Sequence, residues 1–390
     1  MKEGWTLVPL KEVCLDFIVP QRDKPTAFDG DIPWCRIEDI EGRYLNGSRS
    51  GQKVTKELAD KMNMHLCPKG TVISACSASI GNQAITTTDC YTNQTFIGLV
   101  VNPDLLYNVY LYFFLESQTK SLLSLGQGAT IKYISKDKYK SMLIPLPSIG
   151  EQQRIVSRLD SAFAHIDELK ANAKKQLSEA RTLFQSALTK AMEPKEGWAE
   201  KRIDEVCSIA RGGSPRPIKD YITNDPNGLN WIKIGDTDMG GKYIYSTKEK
   251  IKPEGLKKSR WVEEDEFLLS NSMSFGRPYI LKTNGCIHDG WLVLRDYQKY
   301  LDIDFFYYVL SSEFVQKQFR TKAQGSTVSN LNTDRVASVT IPVPSLTEQQ
   351  RIVSRLDSLS AHVRELEEVL QKVIAECDNL KQALLRKVFE

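Results

Sequence analysis

Glu151-Gln-Gln-Arg-Ile-Val-Ser-Arg-Leu-Asp-Ser161 reappears without a single change at Glu348 to Ser358. The offset, 348 − 151, is 197 residues. Eleven identical residues at domain spacing do not arise by chance, so the chain is a tandem duplication and the repeat decides the architecture. The flanks agree. Ile144-Pro-Leu-Pro-Ser-Ile-Gly150 matches Ile341-Pro-Val-Pro-Ser-Leu-Thr347, and Gln127-Gly-Ala-Thr130 matches Gln324-Gly-Ser-Thr327. Lys2-Glu-Gly-Trp5 recurs as Lys195-Glu-Gly-Trp198, Glu12-Val-Cys14 as Glu205-Val-Cys207, and Trp34-Cys-Arg-Ile-Glu-Asp39 as Trp231-Ile-Lys-Ile-Gly-Asp236. Between these anchors the halves diverge. Each half is therefore a variable block followed by a nearly constant segment: one scaffold, two specificities.

The constant segments read as long helices. Ser148-Ile-Gly-Glu151 and Ser345-Leu-Thr-Glu348 are capping boxes, and Pro147 and Pro344 discourage helix upstream. Apolar residues then follow heptad spacing. The first series is Ile155, Leu159, Ala162, Ile166, Leu169, Ala173, Leu177, Ala180, Phe184, Ala187 and Ala191, with a stutter near Ala173–Leu177. The second is Ile352, Leu356, Leu359, Val363, Leu366, Leu370, Val373, Cys377, Leu380, Leu384 and Val388. A helix of about 40 residues is about 60 Å long and, with so narrow a stripe, needs a partner helix. The other copy is that partner. Antiparallel pairing follows, because the first helix delivers the chain to the second block and the second must return. Repeat symmetry then brings Glu390 close to Lys2-Glu-Gly-Trp5, in a closed, pseudo-two-fold dumbbell. Helices folded only onto their own blocks are the plainer alternative, which so long a stripe disfavours.

The blocks carry short β-type runs, such as Gly70–Ser74, Phe96–Val101, Glu266–Ser270 and Gly290–Arg295, with helical patterns at Leu105–Thr119 and Ile303–Gln318. The expected class is α+β: two globular blocks, each a curved β-sheet plus short helices, joined by two long antiparallel coiled-coil helices. The boundaries are 1–147 and 194–344 for the blocks, 148–193 and 345–390 for the helical spacers.

Composition narrows the function. The 390 residues are 41% hydrophobic and 26% charged, which suits a folded chain. The longest apolar candidate, Val109–Leu115, falls far short of the ~18 residues that span a bilayer. The N-terminus lacks an apolar signal core, so a cytoplasmic location is expected. None of the eight cysteines forms a CxxC pair, so reduced thiols are expected rather than zinc or disulfides. Net charge is only +3, so any nucleic-acid surface must be local or shared with a partner. Catalytic signatures are absent: Gly235-Asp-Thr-Asp-Met-Gly-Gly-Lys242 has its lysine displaced and Tyr243 where a phosphate loop has the serine or threonine that holds magnesium, and no H-E-x-x-H or nucleophile–base pairing occurs. No metal and no cofactor is expected on this chain.

What the blocks offer is polar loop chemistry suited to base edges and phosphates. The second block has Arg211-Gly-Gly-Ser-Pro-Arg-Pro-Ile-Lys219, and the first has Gln21-Arg-Asp-Lys24 at the corresponding place. Asn93-Gln94 and His288-Asp289 precede Phe96 and Trp291 equivalently. Arg36 and Lys233 follow the matched tryptophans, which read as core. The candidate DNA contacts are Arg22, Lys24, Arg36, Asn93, Gln94 and Lys132 in the first block, and Arg211, Ser214, Arg216, Lys219, Lys233, Arg277, His288 and Asp289 in the second. Taken singly, each is as well explained as a solvated loop residue; the signal is their pairing between halves.

The order variable block, constant helix, variable block, constant helix, with I-P-x-P-S-x-x-E-Q-Q-R-I at Ile144–Ile155 and Ile341–Ile352, resembles the specificity subunits of Type I restriction-modification systems over essentially the whole chain. That resemblance implies two target recognition domains, each reading one half of a bipartite, asymmetric site in double-stranded DNA. It implies helices that set the gap, and two methyltransferase subunits docked on the constant regions, where Gln152, Gln153, Arg154, Gln349, Gln350 and Arg351 are the candidate contacts. S-adenosylmethionine, ATP and Mg would belong to those methyltransferases and to two motor-nuclease subunits, and the chain itself would be non-catalytic. A coiled-coil adaptor that binds proteins is the alternative. A self-contained nuclease or methyltransferase would need a cofactor motif that the sequence lacks.

Overall fold

The computed structural model describes residues 4–20, 22–77, 79–125, 133–237, 241–271, 275–323 and 331–389. It forms two compact units: Met1–Lys174 with Gln371–Glu390, and Lys175–Leu370. Each unit holds one block, the start of the long helix that follows it, and the end of the other long helix.

In the first unit a five-stranded sheet runs, in spatial order, Cys14–Ile18, Phe96–Val101, Val72–Ala75, Gln83–Thr86 and Tyr44–Leu45. A three-stranded sheet joins Lys53–Val54, Ile32–Cys35 and Tyr91–Thr92, and the pair Thr6–Pro9 with Leu143–Leu146 ties the start of the block to its end. The second unit repeats the plan. Ser208–Arg211, Trp291–Arg295, Phe267–Ser270, Pro278–Leu281 and Tyr243–Ile244 form its main sheet, and Ala199–Arg202 pairs with Thr340–Val343. Its other sheet has grown to five strands around Leu229–Ile232. The helical pattern at 303–318 is broken at Ser312, giving Ile303–Ser311 and Glu313–Ala323, because the Ser312 backbone turns extended and its hydroxyl donates to the Val309 carbonyl (2.6 Å).

Both constant segments are helices of 44 residues, Ile149–Met192 and Leu346–Phe389, about 65 Å long at about 1.5 Å per residue. Ser148 and Ser345 cap them, each Oγ accepting from the amide three residues on, at 3.4 and 3.3 Å. In the first unit the two helices run antiparallel. A step from Asp167 to Lys170 on one is a step from Lys381 to Asp378 on the other, with both ion pairs at 2.6 Å. In the second unit Arg181 pairs with Glu367, also at 2.6 Å.

The stripe differs from the expected heptad at three positions. Leu169, Leu366 and Leu380 are 52%, 42% and 48% exposed, while the next residues along, Lys170, Glu367 and Lys381, are half-buried. A seven-residue repeat laid on a helix of 3.6 residues per turn drifts by ~20° per heptad, so the facing stripe passes the leucines by. Charged stems line it there and pair across it.

The helices also seat on their blocks. Seating and pairing are alternatives in the sequence; the structure has both. In the first unit Ile155, Leu159, Phe163 and Ile166, with Leu385 and Phe389 of the other helix, join one core with Leu10, Tyr110 and Phe114. The Phe389 ring lies 5.1 Å from that of Tyr110 and 5.7 Å from that of Phe114. Trp5 packs on this core too, which places the described ends of the chain together; residues 1–3 and Glu390 lie outside the described residues. In the second unit Leu188, Met192, Ile352 and Leu356 share a core with Phe305 and Val309.

Candidate nucleic-acid interface

The antiparallel register of each main sheet brings several strand ends to one edge. In the second unit that edge collects Arg211, which ends its strand, Asn271, just beyond Ser270, Arg277, just before Pro278, and His288-Asp289, just before Trp291. In the first unit the corresponding edge collects the loop holding Arg22 and Lys24, which follows Ile18, together with Asn93-Gln94, before Phe96, and Ser77, beyond Ala75. Residues far apart in sequence thus meet at one edge in each unit. Lys132 lies outside the described residues, beside Tyr133, which bridges to Ser77.

Asp289 organises the edge in the second unit. Ser214 donates to its Oδ1 (2.7 Å), Arg216 pairs with its Oδ2 (3.3 Å), and Arg211 and Asn271 donate to its carbonyl (3.1 and 2.9 Å). The Ser214 hydrogen bond, outweighing partial burial and helped by the charges of His288 and Arg216, holds the Asp289 carboxyl below its usual range. Asp289 is therefore a ligand of its own loop before it can be a ligand of a base. Gly212 and Gly213 are required for the same reason. A Cβ on Gly212 would stand 2.2 Å from the His288 carbonyl oxygen, and one on Gly213 2.7 Å from that of Lys258. The close approach that these glycines allow is to the protein's own backbone.

Three groups of candidates are engaged by the chain itself. The His288 ring is turned inward between Trp231 and Trp291, with both ring nitrogens facing backbone N–H groups of Ile234 and Gly290 (3.2 and 2.7 Å). Burial pushes its pKa down. Arg36 and Lys233 are held by carboxylates of their own blocks, Glu38 at 3.1 Å and Glu249 at 2.7 Å. Gln152 and Gln349, candidate partner contacts, are wholly buried. Gln152 donates to the carbonyls of Leu105 and Pro147 (both 2.9 Å) and accepts from the Tyr107 amide (2.8 Å). Gln349 does the same with Tyr300, Pro344 and Asp302, at the same three distances. A side chain so engaged clasps helix to block and offers nothing to another subunit.

The remaining candidates face outward. Lys24 (over the Phe28 ring at 5.5 Å), Gln94, Arg211, Arg216, Lys219 and Arg277 are exposed, and Arg22 lies close enough for its charge to act on Tyr133. Asn93 is half-buried and accepts from Thr95. Gln153, Arg154, Gln350 and Arg351 lie on the outer face of the helix starts, Arg154 and Arg351 paired to Glu151 (3.1 Å) and Glu348 (2.8 Å). Gln153 lines a shallow cavity of about 320 Å³ with Lys69 and Asn108.

Sequence reasoning missed Asn271, Arg260 and the paired turn aspartates. Arg260 donates to the Arg211 carbonyl (2.7 Å) and so fixes the basic loop from a distant strand. Asp39 accepts from the amides of Arg36 and Arg49 (2.7 and 2.8 Å), and Asp236 from those of Lys233 and Lys248 (2.8 and 3.2 Å). Their signal was present: both close the matched tryptophan segments.

The sequence profile of the Type I restriction modification DNA specificity domain matches residues 2–179 and again residues 195–376. Among similar proteins, the specificity subunit of the Type I restriction enzyme EcoDI of Escherichia coli is 26% identical over 317 residues, 74% of this chain and 71% of its own length. That of StySPI from Salmonella potsdam is 23% identical across 100% of this chain and 89% of its own. Two solved structures share the fold. One is a chain from a structural study of assembly and conformational transition of the type I R-M system, with TM-score 0.81 and 23% identity over 99% of this chain and 98% of that one. The other is the HsdS subunit from Thermoanaerobacter tengcongensis, with TM-score 0.64 and 23% identity over 100% and 97%. With the domain found in both halves, on the same scaffold with unlike loops, the chain belongs to the family of Type I restriction-modification specificity subunits.

Proposed function

We propose that each unit reads one half of a bipartite, asymmetric DNA site, and that the two 44-residue helices set the gap between the halves. The observation that carries this reading is a common scaffold whose corresponding edges present different groups: Arg22, Lys24, Asn93 and Gln94 in one unit, Arg211, Arg216, Lys219 and Arg277 in the other. Arginine is suited to guanine and amide side chains to adenine, while lysine and serine hold phosphates. His288 and Asp289, with Ser214, act in this reading by shaping the loop, and Arg36 and Lys233 by supporting it. Two readers rigidly joined raise each other's effective concentration on the duplex, and reading from one face puts half-site centres about 34–36 Å apart.

Two methyltransferase subunits dock on the constant helix starts, with Gln153, Arg154, Gln350 and Arg351 as the outward residues of the repeated segment. They bring S-adenosylmethionine and modify adenine, and two motor-nuclease subunits bring ATP and Mg chemistry. The specificity subunit itself works without catalysis, in the cytoplasm. The mild net charge of +3 fits a protein that shares its DNA contacts with partners.

The test is a selection from random duplex DNA with the chain and its methyltransferase partner. Two short motifs at a fixed separation are expected. Arg277→Ala should relax one motif by roughly 1–3 kcal/mol per lost base contact and leave the other intact. A single continuous motif would overturn the bipartite reading, and retention of protein but no DNA would return the adaptor reading.

A further inference from the structure

Arg43 immediately precedes the edge strand Tyr44–Leu45, and Lys242 immediately precedes the corresponding strand Tyr243–Ile244. Their backbones are equivalent: Ile85 N donates to the Arg43 carbonyl and Ile280 N to the Lys242 carbonyl, both at 2.9 Å. Their side chains occupy corresponding places with different atoms. The Arg43 guanidinium lies over Phe113 (4.6 Å) and Tyr112 (5.5 Å) and pairs with Asp160. The Lys242 ammonium lies over Tyr308 (5.1 Å) and Tyr307 (5.2 Å), pairs with Asp304 (2.5 Å), and stands 3.8 Å from Asp357, to which the Tyr308 hydroxyl donates. Asp160 and Asp357 are the tenth residue of the identical eleven. Block sequence has drifted here from arginine to lysine and from phenylalanine to tyrosine, yet both units keep a cation on the block, an aromatic floor beneath it and a carboxylate on the helix.

This gives each helix a second directional attachment to its block. The buried glutamine is the first, and the aspartate lies eight residues, or about 12 Å, further along. One attachment point leaves a rotation free, and apolar packing is non-directional; two points fix an angle. Half-burial of the cation beside aromatic faces strengthens the pair over a fully exposed counterpart.

We propose that Arg43–Asp160 and Lys242–Asp357 are latches that fix the angle at which each recognition block leaves its helix, and thereby the number of base pairs between the half-sites. This rests on the bipartite reading above. One base pair is a step of about 3.4 Å, with roughly a tenth of a turn around the duplex, so a small loosening of the angle is legible as a change of gap.

The experiment uses the full chain with its methyltransferase partner and a set of duplexes. Each duplex carries the two selected half-sites at the native gap or one base pair shorter or longer. The unaltered protein should prefer the native gap by about tenfold or more, since a wrong gap forfeits base contacts. Asp160→Asn with Asp357→Asn should cut that preference to about twofold, with each half-site's own base preference retained. Each single variant should loosen it partway and carries the test if the double variant does not fold. Arg43→Lys, which copies the second unit, should keep it. Carboxamide variants that retain the full gap preference, or that lose affinity equally at every gap, would overturn the latch. An unaltered protein indifferent to gap would instead overturn the bipartite reading itself.

Discussion

Gln152 and Gln349 each satisfy one backbone N–H and two carbonyls, of which the Pro147 and Pro344 carbonyl bonds are buried and the rest partly so. Removing the amide strands those groups, at about 1–3 kcal/mol for each that water cannot reach. Gln152→Ala is therefore expected to destabilise the first unit by about 2–4 kcal/mol in urea unfolding, and Gln349→Ala the second by the same amount. A loss under about 0.5 kcal/mol would mean the clasp is ornamental. Asp289 gives a pH dependence. Its folded pKa lies below the ordinary carboxylate value, so the stability it lends the 211–219 loop is present above that ordinary value and fades as pH falls through the depressed one. Hydrogen-exchange protection of that loop should drop along that acid limb, and Asp289→Asn should show the lowered protection already at neutral pH; equal protection in the variant would refute the role. In the sequence these residues look like one class of polar loop or partner contact. Burial separates them, and burial is set by which strands end at the same edge, a long-range fact that no local pattern carries.

The long helices are legible from capping serines, unbroken apolar spacing and unchanged repetition, and the structure gives them 44 residues each. Their facing stripe leaves the heptad at Leu169, Leu366 and Leu380 because the helices keep their ordinary turn there. The strand positions are legible from β-branched runs between turns. Their division among sheets is not, since two- and three-residue strands such as Lys53–Val54 carry no period. If these helices are the spacer, four residues inserted into the middle of Ile149–Met192, just over one turn, should move the preferred gap while leaving both half-site sequences alone. A binding selection measures it, and an unmoved gap would refute the spacer role.

At the scale of the molecule, duplication explains why one chain holds two copies of the specificity domain with a single folding plan. The constant eleven residues supply the clasp glutamine and the latch aspartate to each unit, and the blocks are free to diverge at the sheet edge between those anchors. The family is legible here because repetition exposes what is kept and what is varied; a target sequence is not, because side chains on an edge do not map one-to-one onto bases and DNA shape adds its own terms. The most direct test is to sequence the methylome of the host with the gene intact and deleted. The expected result is the disappearance, on deletion, of adenine methylation at one bipartite asymmetric motif of fixed gap. An unchanged methylome in a host whose methyltransferase partner is active, or loss of a continuous motif without a gap, would contradict it.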